Sequence, residues 1–390
     1  MKKPILTLTS LAALAGGAWG AGYYLPNQDA AATAKGNAFV ATADTAAAVH
    51  YNAAGLTQLE GIETQMGIYT IQLGTEAKIP GRGRYRNKAE WQTVPSLFAG
   101  GPLNDRFAWG VGLYSPFGMG NEWGFGTPFQ TVVAETYLLQ STFTGALAYQ
   151  INNCLSVGGS VSLNYEDLET VQALAPIPKV NFLRFKGDGF SVAAALSMLW
   201  QPGDRHSFGL SWSTETSTTL DGRIDSTVGA MNGKGKFDFM TPMRAAVGYS
   251  YRPSPGWNIE ANVEWLDWDS LNTLSLRGPT VGTIPAVFNW QGTFIYEIGA
   301  SYVTEDGWVF AAGYDYNENA QPDATYSPGV ADADIQYFNV GMGRQMENWS
   351  WFLGYQFGYA NRVVNGSVVG TNGKYESRHH AVSASVRYRF

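Results

Sequence analysis

The sequence predicts an all-β fold: a closed antiparallel transmembrane β-barrel, most simply of fourteen strands, with an N-terminal segment set inside the lumen as a plug. Three observations carry this prediction. Apolar and polar residues alternate in strand after strand. The chain is rich in aromatic residues (Tyr 21, Phe 20, Trp 13) and in glycine (46), yet only 15% of it is charged. Short and long connections between the alternating runs take turns along the chain.

At the N-terminus, Lys2 and Lys3 precede an apolar stretch from Ile5 to Ala18, and Ala18-Trp19-Gly20 places small residues where a signal peptidase reads them. A basic start, an apolar core of this length and an A-x-A-like end describe a cleaved export signal over residues 1–20. The stretch is too short and wrongly flanked for a membrane-spanning helix. Residues 21–60 follow with ten alanines between Ala30 and Ala48 and with no strand alternation. A segment this apolar is expected inside the lumen as a hatch. A periplasmic extension is the alternative, since terminal segments are often loosely held.

The barrel is expected over residues 61–390. In the last strand Val382, Ala384, Val386, Tyr388 and Phe390 face one way, and Ser383, Ser385, Arg387 and Arg389 face the other. Period two sets the first group against lipid and the second in the lumen. The same grammar orders Trp257, Ile259, Ala261, Val263 and Trp265 against Asn258, Glu260, Asn262 and Glu264. It recurs from Trp349 to Tyr359 and from Val157 to Tyr165. Aromatic residues at both ends of such runs fit the interfacial girdles of a membrane barrel. A soluble sandwich also alternates, but few soluble sheets offer water so aromatic a face.

Fourteen such spans can be marked, the first at 61–73, the third at 105–115, the eighth at 236–252 and the last at 378–390. Short turns fall near 101–104, 152–153, 202–203, 253–255, 305–306 and 347, and every other connection is expected to be long. An even strand number, with short turns on the periplasmic side and long loops outside, is the pattern of single-chain bacterial outer-membrane barrels. It puts both ends of the barrel on the periplasmic side. Phe390, a terminal aromatic on a dyad-patterned strand, is read as the signal for the barrel-assembly machinery.

Several functions are disfavoured. The net charge of −7, made more acidic by loss of Lys2 and Lys3, and the lack of strong basic clusters argue against nucleic acid. Cys154 is the single cysteine, so no disulfide framework or cysteine metal site exists, and no cofactor is expected. A barrel hydrolase needs serine and histidine on one face within reach. His206 and Ser207 are adjacent and point to opposite faces, and His379 and His380 likewise diverge. An enzyme is therefore not expected. Glu260 and Glu264 share one face and read as solvated lumen wall.

The binding candidates lie in loops. Phe117, Met119, Trp123, Phe125 and Phe129 place an apolar cluster after the third strand, where the chain should face water. Such a cluster is expected to be a capture surface for a hydrophobic ligand, although packing against other loops would use the same rings. Pro116, between Tyr114 and Gly118, is expected to break the ladder at a strand end and to open a gap in the wall. Lys78, Arg82, Arg84, Arg86 and Lys88 crowd the first loop. They are contacts for lipopolysaccharide phosphates or a substrate carboxylate, or else a solvated run.

Particular motifs go further. Gly22-Tyr23-Tyr24-Leu25-Pro26-Asn27-Gln28, Lys35-Gly36-Asn37-Ala38, and Ala43-Asp44-Thr45-Ala46 leading to Val49-His50-Tyr51-Asn52-Ala53-Ala54-Gly55-Leu56 resemble the hatch of the FadL/TodX family. Tyr114-Ser115-Pro116-Phe117-Gly118 after the third strand, Thr241-Pro242 opening the eighth, and Trp257 to Trp268 extend the resemblance over the chain beyond residue 20. That family comprises outer-membrane transporters for long-chain fatty acids and aromatic hydrocarbons. The resemblance implies a fourteen-stranded barrel blocked by a hatch, capture among outer loops, and sideways release at a kinked third strand. One departure stands out. The family usually has Asn-Pro-Ala where this chain has Asn52-Ala53-Ala54, so the fixed φ of proline is lost. Gly22, Tyr23, Asn52 and Gly55 are the hatch residues singled out. The expected partners are a hydrophobic small molecule, outer-membrane lipid and lipopolysaccharide, with the protein a monomer. A general porin or adhesion-type barrel is the alternative function.

Overall fold

A computed structural model describes residues 21–175 and 181–390. The expected export signal lies outside the described residues. Nineteen strand segments join into one antiparallel sheet. Setting aside the hairpin strand Gly83–Arg86 and joining four interrupted pairs leaves fourteen wall strands. The first seven are β1 (Glu63–Ile79), β2 (Trp91–Pro102), β3 (Phe107–Glu122), β4 (Glu135–Asn152), β5 (Leu155–Ala173), β6 (Phe182–Gly203) and β7 (His206–Ser213 and Thr216–Ser226). Then come β8 (Gly233–Thr241 and Arg244–Tyr251), β9 (Trp257–Leu266 and Thr273–Gly278) and β10 (Gly282–Val287 and Thr293–Val303). The wall ends with β11 (Trp308–Asn317), β12 (Ile335–Gln345), β13 (Trp349–Val364) and β14 (Gly373–Arg389). Closure comes from β1 against β14, in register from Glu63↔Arg389 to Lys78↔Lys374.

Alternation is realised as expected. On β14, Val382 and Val386 are 47% and 45% exposed on the outer face, whereas Ser383 and Ser385 are 3% and 8% exposed inside. Near the short-turn end an outer belt of rings pairs across strands: Phe107 with Tyr149, Trp257 with Tyr302, and Trp349 with Tyr388, with centroids 4.7–5.0 Å apart. Amphipathic rings belong at such a membrane boundary.

Several strands outrun the sequence reading at their outer ends. β1 reaches Ile79 rather than 73, and β14 begins at Gly373 rather than 378. The pairs Glu76↔Glu376 and Lys78↔Lys374 explain why. Above the lipid the outer face turns polar, so the alternation fades while the ladder continues. For the same reason the β7–β8 and β9–β10 connections, residues 227–232 and 279–281, are shorter than expected. Thr241-Pro242 lies inside β8, where the proline interrupts the strand instead of opening it.

Residues 21–60 run through the lumen. They form short helices at Ala30–Ala34 and Ala48–Tyr51 and a 3-10 turn at Ala53–Gln58, and nearly all are buried. The first helix packs on β11 to β14 and the 3-10 turn on β2 to β6, which are opposite parts of the wall. Asp29 caps the first helix by accepting from Ala32 N at 2.7 Å, and it also takes the Gln65 amide of β1. Asn52 Oδ1 accepts from Ala54 N at 3.1 Å, while its Nδ2 donates to Val40 O at 2.8 Å and Met198 O at 3.0 Å. That side chain thus does the turn-setting work that the absent proline would have shared.

The segment fits closely because the wall carries glycine where its backbone passes nearest. A Cβ on Gly299 or Gly313 would lie 2.1 Å from Lys35 backbone atoms, and one on Gly209 would lie 2.2 Å from Val40 O. Gly55 is likewise needed for close approach, with a Cβ falling 2.1 Å from Ala43 O. Its space, rather than a left-handed φ, is what the fold uses. We expect Gly313→Val to keep the slow, heat-modifiable gel migration of a closed barrel. Overpacking of about 1–3 kcal/mol should nevertheless loosen residues 21–60, read as new protease cuts inside that segment. Unchanged protease resistance would show that the Lys35 backbone can yield without cost.

Candidate functional site

The site lies at the outer end of the lumen, where the start of the inner segment meets β3. Pro116 has no N–H to give, and strand order suffers around it. The β3–β4 register shifts between Tyr114 and Phe117. On the other side, β2 and β3 pair only from Leu97↔Leu113 to Pro102↔Ala108. Above that point, among the wall strands, Trp91 to Ser96 pair only with β1 and Phe117 to Glu122 only with β4. The wall therefore lacks a ladder between β2 and β3 beside Tyr114, Pro116 and Gly118, the three residues singled out for a gap.

The inner segment takes over the lost bonds. Leu25 N donates to Pro116 O at 2.7 Å and Gly118 N donates to Tyr23 O at 3.0 Å. Gln28 reaches both sides of the break: its Nε2 donates to Ser115 O at 2.9 Å, and its carbonyl accepts from Ser96 Oγ at 2.9 Å. Gln92 Nε2 spans the upper part, donating to Gly120 O at 3.1 Å.

Around this junction the rings converge. Tyr23 lies 4.7 Å from Trp268, 5.7 Å from Trp290 and 6.0 Å from Phe117, centroid to centroid. Tyr24 lies 5.4 Å from Phe117. Such edge and tilted pairs add to simple burial. The Tyr23 hydroxyl donates to Met240 O at 2.5 Å, and burial pushes its pKa well up, so it stays a donor. Gly22, at φ +73°, leaves room for the Trp268 and Trp290 rings, which a Cβ would approach within 2.6 Å. An outer loop fixes the start of the segment: Asp332 accepts from Gly22 N at 3.4 Å, and Glu318 O accepts from Ala21 N at 2.9 Å.

Below the rings the lumen is polar. Arg244 pairs with Glu264 at 2.5 Å and lies 5.9 Å from the Tyr24 ring. Lys35 sits 3.6 Å from Glu260, which also accepts from Ala41 N at 2.7 Å. Glu260 and Glu264 are both buried, not solvated wall as expected. Each is held because it has a cation and hydrogen bonds; without them a buried charge would be costly. His50 of the inner segment is kept neutral, first by burial and then by Arg244. A cavity of about 80 Å³ lies between Tyr24, His50, Phe117 and Arg244.

The five apolar residues expected to form one capture surface divide among three places. Phe117 and Met119 belong to the inner cluster with Tyr23 and Trp268. Trp123 and Phe129 are buried in a separate outer cluster with Tyr326 and Tyr375, and Trp123 Nε1 donates to Pro328 O at 2.9 Å. Phe125 alone stays exposed, at 43%, with Phe182 at 6.3 Å. The folded-in loop 318–334 covers the others, and nothing in its own sequence pattern signalled that. Trp268 and Trp290 were missed as site residues. Parity gave a signal for Trp268, because it points opposite to lipid-facing Trp265.

The basic loop carries its own neutralisation. Arg84 and Arg86 pair with Glu76 at 3.0 and 2.7 Å, and Lys88 with Glu90 at 2.8 Å and Glu122 at 3.3 Å. Arg82 has no side-chain bond of this kind among the described residues.

Three kinds of likeness bear on identity. The family described as outer membrane protein transport protein (OMPP1/FadL/TodX) matches residues 11–390. A long-chain fatty acid transport protein of Escherichia coli O6:H1 is 21% identical over 378 residues, covering 83% of each chain. A Pseudomonas aeruginosa FadL homologue of known structure superposes with a TM-score of 0.83 at 19% identity, covering 95% of this chain and all of that one. The Ralstonia pickettii toluene transporter TbuX gives 0.71 at 16% identity, covering 94% and 100%. At these identities the two structures attest a shared fold.

We expect Trp268→Ala to remove about 3–5 kcal/mol of buried packing from beneath Tyr23. Amide exchange at residues 21–25 should then accelerate at least tenfold while β12 to β14 stay protected. Equal protection of residues 21–25 in both proteins would show that the outer loop alone holds them.

Proposed function

This chain belongs to the OMPP1/FadL/TodX family of outer-membrane transport proteins, and on that premise we propose that it carries hydrophobic small molecules such as long-chain fatty acids or hydrocarbons. It is a transport protein of the outer membrane, not an enzyme. The observation that carries the substrate class is the junction of rings at the broken wall: Tyr23, Phe117, Trp268 and Trp290 gather where β2 and β3 part. A polar solute gains nothing from such a place. An alkyl chain or aromatic ring gains by leaving water, at about 25 cal/mol per Å² of apolar area.

The route we propose begins at Phe125 and the outer cluster of Trp123 and Phe129, passes Met119 and Phe117, and leaves sideways between β2 and β3 into lipid. Residues 21–60 act as a hatch that denies the axial path. Asn52 and Gly55 hold its turn, and Gly22 and Tyr23 its outer end. Arg82, Arg84, Arg86 and Lys88 serve a carboxylate or lipopolysaccharide phosphates in a secondary way, and Phe390, 73% exposed, serves assembly. Burying two or three apolar groups at ~1.5–3 kcal/mol each approaches the −8.2 kcal/mol of a micromolar complex. An exposed ion pair adds about 1 kcal/mol or less, and Glu76 already competes for Arg84 and Arg86.

Two measurements test this reading. Phe117→Ala should weaken a fatty acid and a neutral hydrocarbon alike, whereas Arg84→Gln with Arg86→Gln should weaken only the fatty acid, by less than tenfold. Loss of both ligands in the arginine variant and of neither in the Phe117 variant would refute it. Deleting residues 21–60 should raise single-channel conductance sharply. A general porin would conduct before the deletion and change little after it.

A further inference from the structure

The wall is broken a second time. β6 pairs with the lower part of β7 from Ala195↔Ser213 downward and with its upper part from Leu183↔Ser226 to Asp188↔Asp221. Between these ladders lie residues 189–194 of β6 and 214–220 of β7. The bonds that cross there include Thr214 N to Ala194 O at 2.9 Å, Ala194 N to Thr214 Oγ1 at 3.1 Å, and Thr218 Oγ1 to Phe190 O at 3.0 Å. A bulge adds one residue to a strand and leaves the ladder otherwise whole. Here the ladder is missing over a run on both strands.

Height and lining give the break meaning. Register carries a single row across the wall from Tyr114 to Thr142, then Asn164, then Ser191, so the two breaks lie on one row of the ladder, three strands apart. One cavity joins them. Pro116 and Phe117 line it at one end, and Ala193, Ala194, Ala195 and Thr214 line it at the other. Ala194 belongs to the outer face, between lipid-facing Val192 and Leu196, which are 65% and 64% exposed. The cavity thus reaches the inner side of the wall at a residue whose side chain faces lipid. Small side chains fill this end and bulky rings the other. At the first break the inner segment replaces the lost bonds, whereas at the second Thr214 and Thr218 reach across.

We propose that the β6–β7 break is a second lateral port, through which an unbranched alkyl chain passes between the lumen cavity and the outer leaflet. This rests on the sideways-release reading given above. Backbone left unpaired in hydrocarbon is tolerated only where it borders a cavity or protein, which this position supplies. The lining of small residues, Ala193, Ala194 and Ala195 with Ser211, Ser213 and Thr214, suits a linear chain better than a ring system of the breadth that Phe117 and Trp268 can face.

The test uses the full-length protein in cells whose uptake of a labelled linear fatty acid depends on it, with surface amount and heat-modifiable migration matched. Ala194→Trp places a ring in the second break. Leu196→Trp places the same ring on the same outer face where the ladder is intact, at Leu196↔Trp212. Gly120→Phe fills the first break, since a Cβ there already lies 2.9 Å from Gln92. Ala194→Trp is expected to slow uptake about twofold, Leu196→Trp to leave it unchanged, and Ala194→Trp with Gly120→Phe to slow it at least fivefold more than Gly120→Phe alone. If the double variant matches Gly120→Phe, or Leu196→Trp slows uptake as much as Ala194→Trp, the second port is refuted while sideways release stands. If neither Gly120→Phe nor the double variant slows uptake, sideways release fails and the second port with it.

Discussion

In a bilayer no water pairs with backbone, so a chain that crosses as strands must close its ladder. The pairing of β1 with β14 from Glu63↔Arg389 to Lys78↔Lys374 meets that demand, and most of the rest follows from it. A fourteen-strand ring is wider than its inward side chains can fill. Something else must occupy the lumen, and residues 21–60 do. On the route proposed above they deny a solute the axial path, and interruptions of the ladder are then what connect the interior with lipid. The constraint that builds the wall thus gives its breaks their significance.

The lumen is filled in an unusual way. Hatch and wall come backbone to backbone at several points, where Gly158, Gly209, Gly299 and Gly313 on the wall lie against Ala53 and Ala54, Val40 and Ala41, and Lys35 and Gly36 on the segment. Small residues on both sides permit an approach that side chains would forbid, and they explain an alanine content that would otherwise suggest a helix. Polarity is then concentrated in a few anchors. Glu260 binds Ala41 N and sits by Lys35, Glu63 accepts from Ala46 N, and Asn52 ties Val40 to Met198 on β6. Each anchor joins a wall strand to a different part of the segment, so the hatch is pinned along its length.

The wall was legible in the sequence because lipid imposes a strict rule on every second residue. Val382, Ala384 and Val386 against Ser383 and Ser385 need no tertiary knowledge to interpret. Where lipid ends, the rule ends, and the outer parts of β1 and β14 went unread although their pairing continues. The capture residues suffered more. Trp123 and Phe129 look like rings offered to water until residues 318–334, far away in sequence, fold over them. Pro116 was read as breaking the ladder, and the β2–β3 pairing does stop beside it and Phe117. The β6–β7 break has no such marker. Ala193, Ala194, Ala195 and Thr214 are ordinary barrel residues, and only register reveals that the ladder stops above Ala195↔Ser213 and resumes at Asp188↔Asp221.

The two breaks differ in what stabilises them. Between β2 and β3 the chain substitutes one backbone for another: Leu25 N and Tyr23 O occupy bonds that a neighbouring strand would have made. The stability of that wall position therefore depends on the outer end of the hatch, and any movement of Tyr23 out of the Trp268–Trp290 cluster exposes backbone as well as rings. Packing and hydrogen bonding are coupled there, so the junction has reason to be either fully docked or fully released. Between β6 and β7 the wall supplies its own bonds, one from Thr214 N to Ala194 O and two through threonine hydroxyls. One break is tied to the position of the hatch and the other is not, because the bonds that replace the ladder come from the inner segment in one case and from the wall itself in the other.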